Sequence, residues 1–150
     1  LHYAANNGQL HVVEFIMVGL ENKNPRNIYG DTPLHLAAFN GHLKVVEYIM
    51  AVIANKNPRS LDGFTPLHGA AYWGHWKVCE LILRNISDKT PKWNGKSPLV
   101  LASKKKSFTC LYTIYGGKNR RECFCLLVTC SYWQGPELSE NPILVTNCIS

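Results

Sequence analysis

The sequence predicts an all-α repeat fold, a solenoid of helix-turn-helix-hairpin units, and three observations carry that prediction. Leu1-His2, Leu34-His35 and Leu67-His68 recur at a constant spacing of 33 residues. Ala4-Ala5, Ala37-Ala38 and Ala70-Ala71, and then Gly8, Gly41 and Gly74, follow each pair at fixed offsets. The first two units close in a polar stretch carrying proline, Asn22-Lys23-Asn24-Pro25-Arg26 and Asn55-Lys56-Asn57-Pro58-Arg59. A period of this length marks stacked units, each with an apolar face it can bury only against its neighbours.

The first unit is partial, residues 1–26; the second spans 27–59 and the third 60–91. In the second, Thr32 is a good N-cap, because its hydroxyl can accept from an unpaired N–H of the first turn, and Pro33 suits the first helical position. Ala37 and Ala38 keep the short helix thin, and Gly41 supplies the permissive backbone that ends it. A longer helix follows, with Leu43, Val46, Ile49, Met50 and Ile53 at helical spacing and Lys44 and Glu47 left for solvent. Ala54 to Gly63 has turn composition and no helical period, which predicts an extended loop or hairpin. The third unit repeats this order with Gly69 in place of Leu36, at a cost of about 1 kcal/mol for a helix-interior glycine.

The fourth unit, 92–115, is degenerate. Ser97-Pro98-Leu99-Val100-Leu101-Ala102-Ser103 keeps the template, but the loop before it is one residue shorter, and Lys106 stands where the turn glycine belongs. Phe108, Leu111, Ile114 and Tyr115 retain the spacing of a last packed helix before Gly116-Gly117. Residues 116–150 carry no repeat and form a tail. It is either a cover for the last unit or sequence without structure of its own.

Thr32-Pro33-Leu34-His35 and Thr65-Pro66-Leu67-His68, each opening a helix-turn-helix unit of 33 residues, resemble the ankyrin repeat. The resemblance covers Leu1 to about Tyr115 and is closest over Gly30 to Glu47 and Gly63 to Glu80. It implies an L-shaped stack in which short inner helices and hairpin fingers form a concave surface, with the longer helices behind. It also implies that His2, His35 and His68 are structural hydrogen-bonding residues linking the inner helices.

Composition narrows the function. The formal net charge is +6, yet residues 1–103 hold ten basic and seven acidic side chains, so the array is not a basic surface built for phosphate backbones. No stretch approaches the roughly 18 apolar residues of a membrane span, and no secretory leader is visible. Five of the six cysteines lie at or after Cys110, while Cys79 takes the core position of Val13 and Val46. A lone buried thiol suits a reducing compartment, so the expected location is intracellular and cytoplasmic. Because the chain begins inside a unit, it is expected to belong to a longer array and to be marginally stable alone.

No residue set points to catalysis or to a cofactor. Gly95-Lys96-Ser97 resembles the end of a phosphate-binding loop, but Thr90 replaces its first glycine, and Gly30-Asp31-Thr32 and Gly63-Phe64-Thr65 show the same positions to be a hairpin end and helix cap. The repeated histidines are separated by the stacking period and cannot converge on one metal or one substrate. Cys123, Cys125, Cys130 and Cys148 follow no common zinc spacing.

Functional candidates are the positions the template leaves free, at hairpin tips and inner-helix ends. These are Ile28, Tyr29 and Asp31 with Phe39 and Asn40; Leu61, Asp62 and Phe64 with Tyr72 and Trp73; and Trp93, Asn94 and Lys96 with Lys104. Tyr29, Phe39, Phe64, Tyr72, Trp73 and Trp93 are the expected anchors for a partner protein, since aromatic residues rimmed by polar groups dominate interfaces. Asp31, Asp62, Lys96 and Lys104 are expected to set specificity, and Asn40 is a further partner-binding candidate. Lys104-Lys105-Lys106 either caps a helix end or meets an acidic patch on the partner. Trp76, replacing Leu10 and Leu43, is expected in the core.

The sequence thus predicts a monomeric, non-catalytic adaptor or scaffold module that binds another protein. One alternative is a structural spacer within a larger channel, kinase or scaffold. A weaker one is nucleotide or single-stranded nucleic-acid recognition by Trp73 and Trp93 beside Lys96 and Lys104.

Overall fold

A computed structural model describes residues 1–104 and 108–114, and among these residues all regular structure is helical. Four helix pairs follow one another: α1 (His2–Asn6) with α2 (Leu10–Gly19), α3 (Pro33–Phe39) with α4 (Leu43–Val52), α5 (Pro66–Trp73) with α6 (Trp76–Asn85), and α7 (Pro98–Lys104) with α8 (Phe108–Ile114). Helices α1, α3, α5 and α7 stack in one row, and α2, α4, α6 and α8 in a second row behind it. The inner row packs more closely. Its thinness explains this, because Ala37, Ala38, Ala70, Ala71 and Ala102 are fully buried and put little side chain between the helices. The hairpins lie beside the inner row, whose histidines bond to them. Lys105, Lys106, Tyr115 and the tail from 116 to 150, with its four cysteines, lie outside the described residues.

Each inner helix of the second and third units begins on a threonine in extended conformation with proline at the first helical position. The cap goes beyond the expected hydroxyl. Histidine occupies the place usually held by glutamate in a capping box, so that the Thr32 N–H donates to His35 Nδ1 at 3.0 Å and the Thr65 N–H to His68 Nδ1 at 3.2 Å. The helix ends at Asn40, and Gly41 follows at φ +76°. Glycine is required there twice over: besides the left-handed backbone, a Cβ would lie 2.5 Å from Nδ1 of His75 in the next unit.

The core is a stripe running through the stack. Leu34, Val46, Ile49, Leu67, Cys79 and Ile82 are each inaccessible to solvent, and Cys110 and Leu111 extend the stripe into α8. Each fully buried aliphatic side chain contributes about 1.5 to 3 kcal/mol. Gly69 is accommodated by the preceding unit, because Phe39 packs against it, with its Cα 3.3 Å from where a Cβ would stand.

Two expectations about the core are corrected. Trp76 is not a core residue: it is 40% exposed, and Lys77 Nζ sits 5.5 Å from the centre of its ring. Leu10 and Leu43 in the same slot are themselves only partly buried, so the slot has room for an isobutyl group at its edge and none for an indole. Nor is Cys79 a lone thiol, since its Sγ lies 3.9 Å from that of Cys110, the two stacked one unit apart.

Candidate functional site

Two sets of histidine hydrogen bonds hold the hairpins and inner helices in register. His2, His35 and His68 each donate from Nε2 to a carbonyl in the next hairpin, respectively that of Asp31, Phe64 and Lys96, all at 3.1 Å. His42 and His75 donate backward, to the carbonyls of Asn6 at 2.8 Å and Phe39 at 3.1 Å. A carbonyl only accepts, so Nε2 carries the proton, and in His35 and His68 the Nδ1 lone pair faces the threonine N–H. Burial favours the neutral ring in His35, His68 and His75. It lowers the pKa of His35 and brings that of His68 down to about 4. The repeated histidines are therefore framework, as the resemblance implied, and they position the surface beside them.

Arg26 and Arg59 brace the hairpins from their bases. Arg26 donates to the carbonyls of Gly30 and Arg59, while Arg59 donates to the carbonyl of Lys92 and pairs with Asp88 at 3.0 Å. Each hairpin closes on itself. The Asn27 N–H donates to Asp31 O and the Ser60 N–H to Phe64 O, both at 2.9 Å, and Trp93 and Lys96 exchange two bonds. In the third hairpin Asn94 and Gly95 both have positive φ, 48° and 75°, so the missing residue has converted the tip into a tight two-residue turn.

On this frame the predicted aromatic stripe divides into two groups. In the hairpins, the Phe64 ring lies between those of His35 and His68, at 6.5 and 5.6 Å, and meets Trp93 edge-on at 5.1 Å. Trp93 Nε1 donates to Asp62 Oδ2 at 2.7 Å. Phe64 and Trp93 are half-buried, with one another as partners. At the inner-helix ends, Trp73 meets Phe39 at 5.6 Å and Tyr72 at 5.2 Å, both edge-on, and remains half exposed. Asn40 belongs with this second group and donates to Asn6 Oδ1 at 3.0 Å.

Tyr29 and Asp31 stand apart from both. They line a groove of about 440 Å³ between the first and second hairpins, together with Ile28, Leu61, Asp62 and Phe64. Ile28 is 83% exposed, Leu61 80% and Tyr29 66%, although the hairpins touch below them through the Leu61 N–H and Tyr29 O at 3.1 Å. Ile28 and Leu61, named with the hairpin-tip candidates, fall outside the anchors because those are chosen for aromaticity. Their position at matched tips, where the core makes no demand for apolar residues, was the available signal. Lys96 and Lys104 lie exposed at the third hairpin and at the end of α7.

Among the described residues, no group of three or more histidine, cysteine, aspartate or glutamate side chains is placed to hold a metal ion. No helix among them is long and apolar enough to cross a membrane. Residues 1–92 match the family model for ankyrin repeats, in three copies. No curated protein sequence matches the chain.

Proposed function

The chain belongs to the ankyrin-repeat family, and on that premise we propose that its concave face, hairpins and inner-helix ends together, binds another protein without catalysis. Ankyrin repeats are in general protein–protein interaction modules. The observation that carries the reading to this chain is the row of exposed apolar tips and half-exposed rings, Ile28, Tyr29 and Leu61 followed by Phe39 and Trp73, on a frame locked by histidine bonds. A rigid scaffold presenting aromatic anchors loses little entropy on binding. The role is that of an adaptor or scaffold acting as a monomer in the cytoplasm, with Tyr29, Phe39, Phe64, Tyr72, Trp73 and Trp93 as anchors. Asp31, Asn40, Asp62, Lys96 and Lys104 set the polar rim. Nucleic acid suits this face poorly, because the Trp93 indole already donates to a carboxylate that would repel phosphates.

Affinity capture with the wild-type chain and with a Tyr29→Ala plus Trp73→Ala variant tests the reading. The variant should lose about 2 kcal/mol or more, roughly thirtyfold in affinity, with its helical content intact. Equal recovery of the same partners by both would refute it.

A further inference from the structure

Resting on the protein-binding reading, the partner's chemistry can be named at the groove between the first two hairpins. Its rim is apolar, formed by Ile28, Tyr29 and Leu61, and its flanks are the carboxylates of Asp31 and Asp62. Among the described residues neither arginine beside the groove forms an ion pair with those carboxylates. Arg26 Nη1 donates to the carbonyls of Gly30 and Arg59, and Arg59 donates to Lys92 O and Asp88. The Asp31 carboxylate has no hydrogen-bond or ion-pair partner among the described residues, in contrast to Glu47, Glu80 and Asp88, which all sit in ion pairs. Asp62 is held ionised by the Ser60 hydroxyl, the Trp93 indole and the Phe64 N–H, and those donors aim its charge without removing it. A chain of net positive charge thus keeps a local negative site beside an open apolar slot, while Lys96 in the third hairpin and Lys104 at the end of α7 are not part of its lining.

We propose that this groove takes a linear segment of the partner protein in which a large apolar side chain enters between the hairpins and an adjacent arginine or lysine pairs with Asp31 and Asp62. Charge complementarity selects this occupant over an acidic segment or a phosphate-bearing ligand, both of which the two carboxylates repel. Adjacent units repeat at roughly 8 to 10 Å, about three residues of extended chain, so the cation and the apolar residue must be sequence neighbours to be read together in one groove.

The test is an NMR titration of the isotope-labelled chain with three twelve-residue peptides in a glycine-serine background, centred on Arg-Trp-Arg, Glu-Trp-Glu and Arg-Gly-Arg. The first should shift the amides of Ile28, Tyr29 and Leu61 and bind at least fivefold tighter than either of the others. Asp31→Asn, which removes the charge of a carboxylate with no partner among the described residues, should erase most of its advantage over Glu-Trp-Glu. Leu61→Ser should erase its advantage over Arg-Gly-Arg. Equal binding of all three, preference for Glu-Trp-Glu, no shifts at the tips, or indifference to Asp31→Asn would overturn the proposal. Such an outcome would leave the broader protein-binding reading to stand or fall on capture by the Tyr29→Ala plus Trp73→Ala variant.

Discussion

His68 donates from Nε2 to the carbonyl of Lys96 across 3.1 Å while its Nδ1 accepts from the Thr65 N–H, so one buried neutral ring caps its own helix and fastens the next hairpin. His35 does the same for Thr32 and Phe64. The face formed by the hairpins and inner helices is held in shape by rings that must stay uncharged.

Acid should therefore loosen the array. The unfolded imidazole titrates near 6.5, and folded His68 near 4, with burial as the main cause. Between these values the unfolded chain binds a proton that the folded chain does not, so stability falls as pH drops from 6.5 toward 4 and is independent of this group above 7. His35 acts in the same direction. The His68 contribution is about 2 to 3 kcal/mol over the whole window. Urea unfolding midpoints measured from pH 8 to 4 check it, and a His68→Gln variant should show a shallower decline; an unchanged slope would exclude His68 as the source.

Gly41 and Gly19 should respond oppositely to alanine. At Gly41 the new Cβ would meet the His75 ring at 2.5 Å from a backbone at φ +76°, and a loss of about 2 kcal/mol or more is expected. At Gly19, in the last turn of α2, nothing lies within 4 Å, and the variant should gain up to about 1 kcal/mol in stability. Thermal denaturation of the two variants decides between this asymmetry and a generic glycine effect.

The bond from Trp93 to Asp62 should appear as a coupling energy. Both groups face solvent, so a double-mutant cycle of Asp62→Asn and Trp93→Phe is expected to give about 0.5 to 1.5 kcal/mol. A coupling indistinguishable from zero would mean that this bond adds nothing to the ring contacts and the Arg59–Lys92 bond that also join the two hairpins.

The buried thiol pair predicts protection from alkylation. Sharing a hydrogen bond with Cys110 and losing water both raise the Cys79 thiol, so the reactive thiolate is suppressed in the folded chain. Maleimide labelling of Cys79 should be at least a hundredfold slower than in urea. Cys79→Val, which restores the residue of the equivalent positions Val13 and Val46, should change stability by less than about 1.5 kcal/mol.

Much of this fold is legible from local chemistry. Thr-Pro starts, Gly41 and Gly74 stops, and the apolar period of Leu43 to Ile53 act within a few residues of one another, and a translational repeat turns one such reading into several. Even the shorter third loop is visible as a count, although the count alone does not place the deletion in the Asn94-Gly95 turn. Legibility fails where a residue's surroundings come from another unit. Trp76 matches a leucine slot by register, but whether an indole fits there depends on how much space the stack leaves. Cys79 looks solitary because its partner lies 31 residues away.

Periodicity therefore settled the helices, their order and their stacking, since those follow from backbone preferences and from apolar faces that must be buried in pairs. Which hairpin and helix-end side chains stay exposed was settled only in three dimensions. Phe64 and Trp93 look as free in sequence as Tyr29 and Trp73, yet the first two spend much of their surface on each other and on Asp62, while Tyr29 stays open beside Asp31, whose carboxylate has no partner among the described residues. The reason is distance: ring contacts and charge pairing act over a few ångströms, and only the stacked chain brings residues a full repeat apart within that reach.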